Sequence, residues 1–165
     1  MHSCVILGPK NYYYLIDRHH LTRALHDEDV KYVPVAIGED MSALDQDSFW
    51  AVLDNRGWMH PFDKSGHRRE YSDIPTSVRD LIDDPFRSLA SELKRRGEYA
   101  KSTAPFCEFR WADFLRSRIL RATVEHDFDR AIGLAMKLAH SPEATYLPGW
   151  LGDLKAHSSK NLQIA

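Results

Sequence analysis

The chain has 165 residues, of which 43% are hydrophobic and 28% charged, and its formal net charge is −2. This balance is typical of an ordinary globular protein, and the near-neutral charge does not by itself predict sequence-independent binding to DNA. No apolar run approaches the roughly 18 residues that a membrane span needs, and the early first strand leaves no room for a secretory signal. We therefore expect no membrane association and a cytoplasmic protein. The two cysteines, Cys4 and Cys107, match no metal or disulfide spacing, which favours a reducing compartment.

The first third of the chain predicts a small sheet with two helices. Two apolar runs flank the turn-forming residues 8–11 and predict a β-hairpin. Pro34 favours a sheet edge or a bulge for the third strand, Gly38 is expected to end that strand, and Gly57 to stop the second helix. The predicted strands are residues 4–7, 12–16 and 32–37, and the predicted helices are residues 18–28 and 42–56.

The rest of the chain is predicted to be helical after a long irregular loop at residues 58–73, which is a candidate functional loop. Asp84 and Pro85 predict the start of a helix as N-cap and first residue, and Gly97 predicts its end. The other predicted helices are residues 75–82, 105–120 and 123–140, followed by an apolar clip at 146–150 and a disordered tail at 156–165. We thus predict an α+β fold, with one domain at 1–155, a strand-and-helix core at 1–57 and a helical extension at 58–155.

The junction between the second strand and the first helix carries a cluster of polar side chains. Asp17 lies where an N-cap is expected, and the N–H groups and dipole of a helix start favour a bound anion. Leu21, Ala24 and Leu25 are spaced to share one face of the helix. The side chains predicted on the opposite face are His19, Arg23 and His26, with His20 between the two faces. This pattern predicts a phosphate site at the helix start.

A structural interpretation of the same residues stays open. Asp17 is then only a cap, and the histidines and Arg23 are a solvated polar face. A metal site at His19 and His20 is not predicted, because neighbouring side chains on a helix point about 100° apart and cannot easily share one ion.

Glu108 is the second unusual feature, since it projects toward the apolar face of a predicted helix formed by Phe109, Ala112, Leu115 and Ile119. A carboxylate on such a face is costly unless it is paired or neutral. Two interpretations remain: a partly exposed glutamate favoured by the helix dipole, or a residue of a site or buried ion pair.

An ordered series of motifs resembles the ParB/sulfiredoxin superfamily and, most closely, its ParB-like nuclease family. The series begins with the strand, Asp-x-His-His and helix unit and covers most of the chain. Its motifs are YLIDRHHLTRAL at 14–25, FW at 49–50, GWMHPF at 57–62, DPFRSLA at 84–90, YAK at 99–101, PFCEFRWADF at 105–114 and LPGW at 147–150.

The resemblance implies a small α+β fold in which the helix start contacts the phosphate of a nucleotide or nucleic acid. The cofactor stays open, and a nucleoside triphosphate and Mg²⁺ are the candidates. Arg18 stands where the sulfiredoxin branch has its reactive cysteine, so sulfinic-acid reduction is not predicted. Arg18, His19 and His20 replace the Glu-Arg-Arg run of the partition branch, whose helix-turn-helix is also not evident. Relatives usually have a further strand before residues 5–7, which we expect this chain to lack.

Two function classes follow from these observations. The first is a nuclease or phosphoryl-transfer enzyme, in which either His19 or Asp17 is the general base and His20 contacts the phosphate. The second is a non-catalytic nucleotide- or nucleic-acid-binding module, and a domain that retains the fold without activity is a third alternative. The candidate catalytic residues are Asp17, His19, His20 and Glu108; the candidate phosphate ligands are His20, Arg23, Arg87 and Ser88; and a further wall would comprise His60, Lys101, Arg110 and Asp113.

Overall fold

The computed structural model describes residues 3–152, and the chain divides into two compact units, Met1–Ile82 and Asp83–Ala165. The first unit holds a three-stranded mixed sheet, and the second is helical. This confirms the α+β fold and the helical second half.

The sheet of the first unit has the strand order β2-β1-β3, so that β1 (Ser3–Leu7) lies at the centre. Strand β2 (Tyr13–Leu15) runs antiparallel to β1, with Val5 opposite Leu15, and a short 3-10 turn at Pro9–Asn11 joins the two strands. The predicted hairpin is therefore confirmed.

Strand β3 (Val35–Asp40) pairs in parallel with β1 and forms one edge of the sheet. The predicted bounds were three residues too early. Pro34 has no N–H to donate, and the ladder begins directly after it. Gly38 does not end the strand, because the register shifts between Ile37 and Glu39 and leaves Gly38 as the extra residue of a bulge. The predicted position at a sheet edge is confirmed, whereas Pro34 itself lies outside the strand and the bulge is at Gly38.

Two helices complete the first unit, α1 (His19–Asp27) and α2 (Gln46–Asn55). Helix α2 begins later than predicted because Asp45 is its N-cap, and the Asp45 carboxylate accepts a hydrogen bond from the Ser48 N–H at 2.9 Å. The core of this unit is small and consists of Ile6, Met41, Phe49, Leu53 and Met59.

The long loop after α2 contains a tight turn. Phe62 and Arg68 form an isolated antiparallel bridge, and the Asp63 carboxylate between them accepts hydrogen bonds from the Ser65 and His67 N–H groups and from Arg69. These bonds lower the pKa of Asp63 to about 2. The helix predicted at 75–82 is wrong, since the structure has only a 3-10 turn at Val78–Asp80 there, and so short a segment does not support an α-helical nucleus.

The second unit packs four helices around a larger core. They are α3 (Pro85–Arg96), α4 (Cys107–Arg116), α5 (Arg121–His126) and α6 (Phe128–Ala139). Asp84 caps α3 and Gly97 ends it in the left-handed conformation, as predicted. The single helix predicted at 123–140 is wrong, because Asp127 has a non-helical backbone and caps a new helix by accepting from the Arg130 N–H.

The predicted clip at 146–150 packs against this core. Leu147 is buried, the indole N–H of Trp111 donates to the Pro148 carbonyl at 2.9 Å, and the Ala100 N–H donates to the Gly149 carbonyl at 2.7 Å. The predicted tail at 156–165 lies outside the described residues. Across residues 3–152, we find no helix whose length and apolar character would let it span a membrane.

Candidate functional site

The junction of β2 and α1 differs from its prediction in one respect: Arg18, not Asp17, is the N-cap. Arg18 adopts the left-handed conformation with φ 62°, and its carbonyl accepts the first helical hydrogen bond from the Thr22 N–H at 3.0 Å. Asp17 lies one residue too early to cap the helix. Its carboxylate instead accepts from the Arg18 N–H at 2.7 Å and keeps 70% of its side chain exposed.

An arginine at the N-cap gives the first turn of α1 no side-chain capping hydrogen bond. Guanidinium has five donors and no acceptor, so the Arg18 side chain makes no capping hydrogen bond to the first turn of α1. The first-turn N–H groups of a helix and the positive end of its dipole attract an acceptor or an anion. The local chemistry of this junction therefore suits a negatively charged ligand.

The imidazole of His19 lies at this helix start, beside the end of β2. Desolvation by surrounding protein atoms lowers the pKa of His19 below the ordinary value of 6.5, and this effect outweighs the influence of the Leu15 backbone and of the nearby Asp17 charge, which raise it. The ring is consequently neutral at pH 7 and has a lone pair to accept a proton. The side chains of His19 and of the next residue, His20, both remain accessible to solvent.

Arg23 is committed to the fold of the first unit. Its Nε donates to the Asp27 carboxylate at 2.9 Å, and its Nη1 donates to the carbonyls of Arg79 and Leu81 at 2.9 and 3.0 Å. Arg23 thus anchors α1 to the segment around the last 3-10 turn of this unit. The sequence pattern did not predict this role, because the partners lie 56 and 58 residues away.

His60, the candidate from the loop, stacks on Phe62 with the ring centroids 4.6 Å apart. The first unit therefore contains Asp17, His19, His20, Arg23 and His60 among the predicted site residues. The remaining candidates belong to the second unit.

Glu108 is the centre of a charge cluster in the second unit. Its carboxylate pairs with Arg87 and with the Lys94 ammonium, the latter at 2.6 Å, and only 21% of its side chain is exposed. The Arg87 guanidinium also donates to Ser91 and lies 5.0 Å from the centroid of the Phe109 ring. Glu108 does lie in the first turn of α4, but the ion pairs explain why a carboxylate is tolerated there.

Lys94, the third member of this cluster, was not predicted from the sequence. A signal was present, because Lys94 follows Arg87 by seven residues and so lies on the same face of α3. Ser88, the other predicted phosphate ligand, is half-buried in the first turn of that helix, and Lys101 is exposed between α3 and α4.

Arg110 and Asp113 lie elsewhere on the second unit, in the wall of a shallow pocket rather than with the Glu108 cluster. Desolvation raises the pKa of Asp113, although Arg116 lies 3.3 Å from its carboxylate and partly opposes the shift. Arg116 also forms a two-bond ion pair with the α3 cap Asp84, at 2.7 and 3.1 Å. Among residues 3–152, no group of three or more His, Cys, Asp or Glu side chains is arranged to hold a metal ion.

Comparison with known proteins assigns the chain to a family. The model of the family described as "Putative ParB-like nuclease" matches residues 2–117. The chain is 51% identical to the protein in the crystal structure of protein Atu1540 from Agrobacterium tumefaciens, with a TM-score of 0.88 over 92% of this chain and 79% of that one. No curated protein gives a significant match. From the family match over residues 2–117 and this similarity, we conclude that the chain belongs to the ParB-like nuclease family.

Proposed function

We propose that the protein is a nuclease or another phosphoryl-transfer enzyme whose nucleotide or nucleic-acid phosphate binds at the start of α1. The observation that carries this proposal is the N-cap of that helix. Arg18 offers donors only, so the first turn of α1 needs an acceptor that its own cap does not supply. A phosphate oxygen meets that need and is favoured by the helix dipole.

His19 is the proposed general base. Phosphoryl transfer depends mainly on positioning and electrostatic stabilisation, with a base to orient the nucleophile. A histidine with a lowered pKa is already neutral at pH 7 and can accept a proton. Asp17, exposed beside it, is the alternative base, while His20 and Arg23 are the proposed phosphate contacts together with the first-turn amides.

The second unit is proposed to bind a further phosphate through Arg87 and Ser88 at the start of α3. That phosphate must compete with the Glu108 carboxylate for Arg87, because the two side chains are ion-paired. His60, Lys101, Arg110 and Asp113 remain proposed contributors to substrate binding, and a nucleoside triphosphate with Mg²⁺ is the first ligand to test.

The alternative proposal is a module that binds a nucleotide or nucleic acid without turning it over. The structural use of Arg23 favours it, since the guanidinium already donates to three residues: to Asp27, which neutralises its charge, and to the Arg79 and Leu81 carbonyls, which hold α1 in place. Catalysis and binding are therefore measured separately.

A thermal-shift screen of the full chain against nucleotides and oligonucleotides, with and without Mg²⁺, tests the binding step. We expect stabilisation by a phosphate ligand that is weakened in His20→Ala. Turnover of that ligand should be lost in His19→Ala while binding persists, and His26→Ala, at the other end of α1, should behave like the wild type. Retained turnover in both His19→Ala and Asp17→Asn would contradict catalysis at this junction, and no stabilisation by any ligand would contradict both proposals.

Arg23 needs a paired comparison, because removing it also loosens the fold. Asp27→Asn removes the charge partner of Arg23 but leaves its bonds to the Arg79 and Leu81 carbonyls. If Arg23 contacts phosphate, Arg23→Ala weakens phosphate binding at a temperature where the variant is folded, whereas Asp27→Asn does not. Equal binding in Arg23→Ala and the wild type would place the anion elsewhere.

A further inference from the structure

A shallow pocket on the second unit is separate from the Glu108 cluster and is lined by both aromatic and charged side chains. Its volume is about 300 Å³, at the lower end of the range for small-molecule sites. We call it the Tyr146 pocket, and it is lined by Arg110, Asp113, Phe114, Ser117, Tyr146 and Leu147.

The aromatic part of this pocket presents an open ring face. Tyr146 is 70% exposed. Its ring meets the Phe114 ring nearly edge-on, at a centroid distance of 6.3 Å. The Arg118 guanidinium covers Phe114 at 4.0 Å, so that ring is already occupied on one side. Tyr146 is therefore the ring with surface left for a planar ligand to stack on.

The polar part of the pocket pairs a cation with an acceptor. Arg110 and Asp113 are three residues apart on α4 and are neighbours on its surface. Within residues 3–152, the Arg110 guanidinium makes no hydrogen bond or ion pair, whereas Asp113 contacts Arg116. The Ser117 hydroxyl donates a hydrogen bond to the Phe114 carbonyl. A ligand with a planar ring and an attached anion would thus meet Tyr146 and Arg110 together.

We propose that the Tyr146 pocket binds one nucleotide of a single-stranded nucleic acid, with the base stacked on Tyr146 and an adjacent phosphate paired with Arg110. Base stacking on an aromatic side chain combined with a cation for the backbone is the usual chemistry of single-strand binding. Asp113 accepts a hydrogen bond from the exocyclic amino group of the base, so adenine, cytosine and guanine are favoured over thymine and uracil. This proposal rests on the proposed nucleic-acid substrate but on none of the residues at the α1 start.

Fluorescence anisotropy tests the pocket in the full chain. The probes are labelled 12-nucleotide single strands of adenine, cytosine or thymine, and an abasic strand of equal charge. Loss of one stacked base weakens binding by about 5- to 150-fold, so we expect Tyr146→Ala to bind the adenine strand that much more weakly. Tyr146→Phe should bind like the wild type. Arg110→Ala should weaken binding to the ordinary and abasic strands alike, while Arg121→Ala, whose arginine is already paired with Glu125, should change it less than twofold.

The abasic strand separates stacking from simple charge attraction. The proposal requires that wild-type protein prefer the adenine strand to the abasic strand and that Tyr146→Ala lose this preference. Equal binding of all four strands by wild type and Tyr146→Ala, or no binding of any strand, overturns it. Loss of turnover in His19→Ala with no effect of Tyr146→Ala would support the proposed function and reject this pocket. Weaker strand binding in Tyr146→Ala with full turnover in His19→Ala would support the pocket and reject His19 as the base.

Discussion

At the scale of single residues, Glu108 and Arg23 show how charge is placed in this protein. Each is a charged side chain with partners on another element. Glu108 pairs with Arg87 and Lys94, and Arg23, which also pairs with Asp27 on its own helix, donates to the Arg79 and Leu81 carbonyls. Partly buried pairs of this kind are costly to break on one side, because the remaining charges keep their desolvation cost.

Replacing Glu108 by Gln should lower the free energy of unfolding by about 1–3 kcal/mol, the usual value of hydrogen bonds to charged groups, and should leave the chain folded but less active. Urea denaturation measures the first effect and turnover the second. Glu125→Gln is the matched control, since it breaks an exposed pair with Arg121 that should contribute less than about 0.5 kcal/mol. An equal loss in both variants, or full activity in Glu108→Gln, would reject the role of this cluster.

The lowered pKa of His19 predicts how stability and activity depend on pH. Because the folded-state pKa of His19 lies below 6.5, the folded chain binds fewer protons than the unfolded chain as the pH falls. The stability contributed by neutral His19 is therefore lost as the pH falls from 6.5 through the lower folded-state pKa. If the neutral ring is the base, kcat/KM falls on acidification with a midpoint below pH 6.5. The acid limb should disappear in His19→Ala; an unchanged limb in that variant would assign it to another group.

At the scale of elements, the helix boundaries depend on short-range capping chemistry. Asp45, Asp84 and Asp127 each accept a hydrogen bond from a backbone N–H in the first turn of the helix that they precede. Asp84 carries an additional ion pair with Arg116, and both side chains are about 15% exposed. This cap therefore joins the start of α3 to α4 as well as defining a helix end.

Asp84→Ala should destabilise the protein by about 2–4 kcal/mol, because it removes a cap and also the two-bond carboxylate partner of the largely buried Arg116, leaving it the longer contact with Asp113. Asp127→Ala is the control that removes a cap alone, and we expect it to cost about 1 kcal/mol. Chemical denaturation of the two variants measures the difference. Similar losses in both would show that the Asp84–Arg116 pair contributes nothing beyond the cap.

The sequence predicted the features that depend on near neighbours. The hairpin, the Asp84 cap, the Gly97 helix end and the apolar clip all follow from residues a few positions apart. The break at Asp127 was missed, because the apolar period runs on from Val124 to Leu138 without interruption and conceals a cap within it. Most partners of Arg23 and Glu108 could not be predicted, since they depend on how separate elements pack. The placement of Arg110 and Asp113 in a pocket with Tyr146 was missed for the same reason.

At the scale of the whole molecule, residues 3–152 contain two hydrophobic cores, one in the unit Met1–Ile82 and one in the unit Asp83–Ala165. The prediction of one cooperative domain at 1–155 is tested by differential scanning calorimetry. One transition with equal calorimetric and van't Hoff enthalpies supports it, because two-state unfolding requires that agreement. Two resolved transitions, with Glu108→Gln shifting just one of them, would contradict it.

The central claim is that a phosphate ligand binds at the start of α1, and ¹⁵N–¹H NMR titration of the full chain tests it most directly. We predict that a nucleoside triphosphate with Mg²⁺ produces saturable shifts in the backbone amides of His19, His20 and Leu21, and that inorganic phosphate at higher concentration shifts the same amides. Saturable binding with shifts confined to other residues, and none at these three amides, would contradict the account.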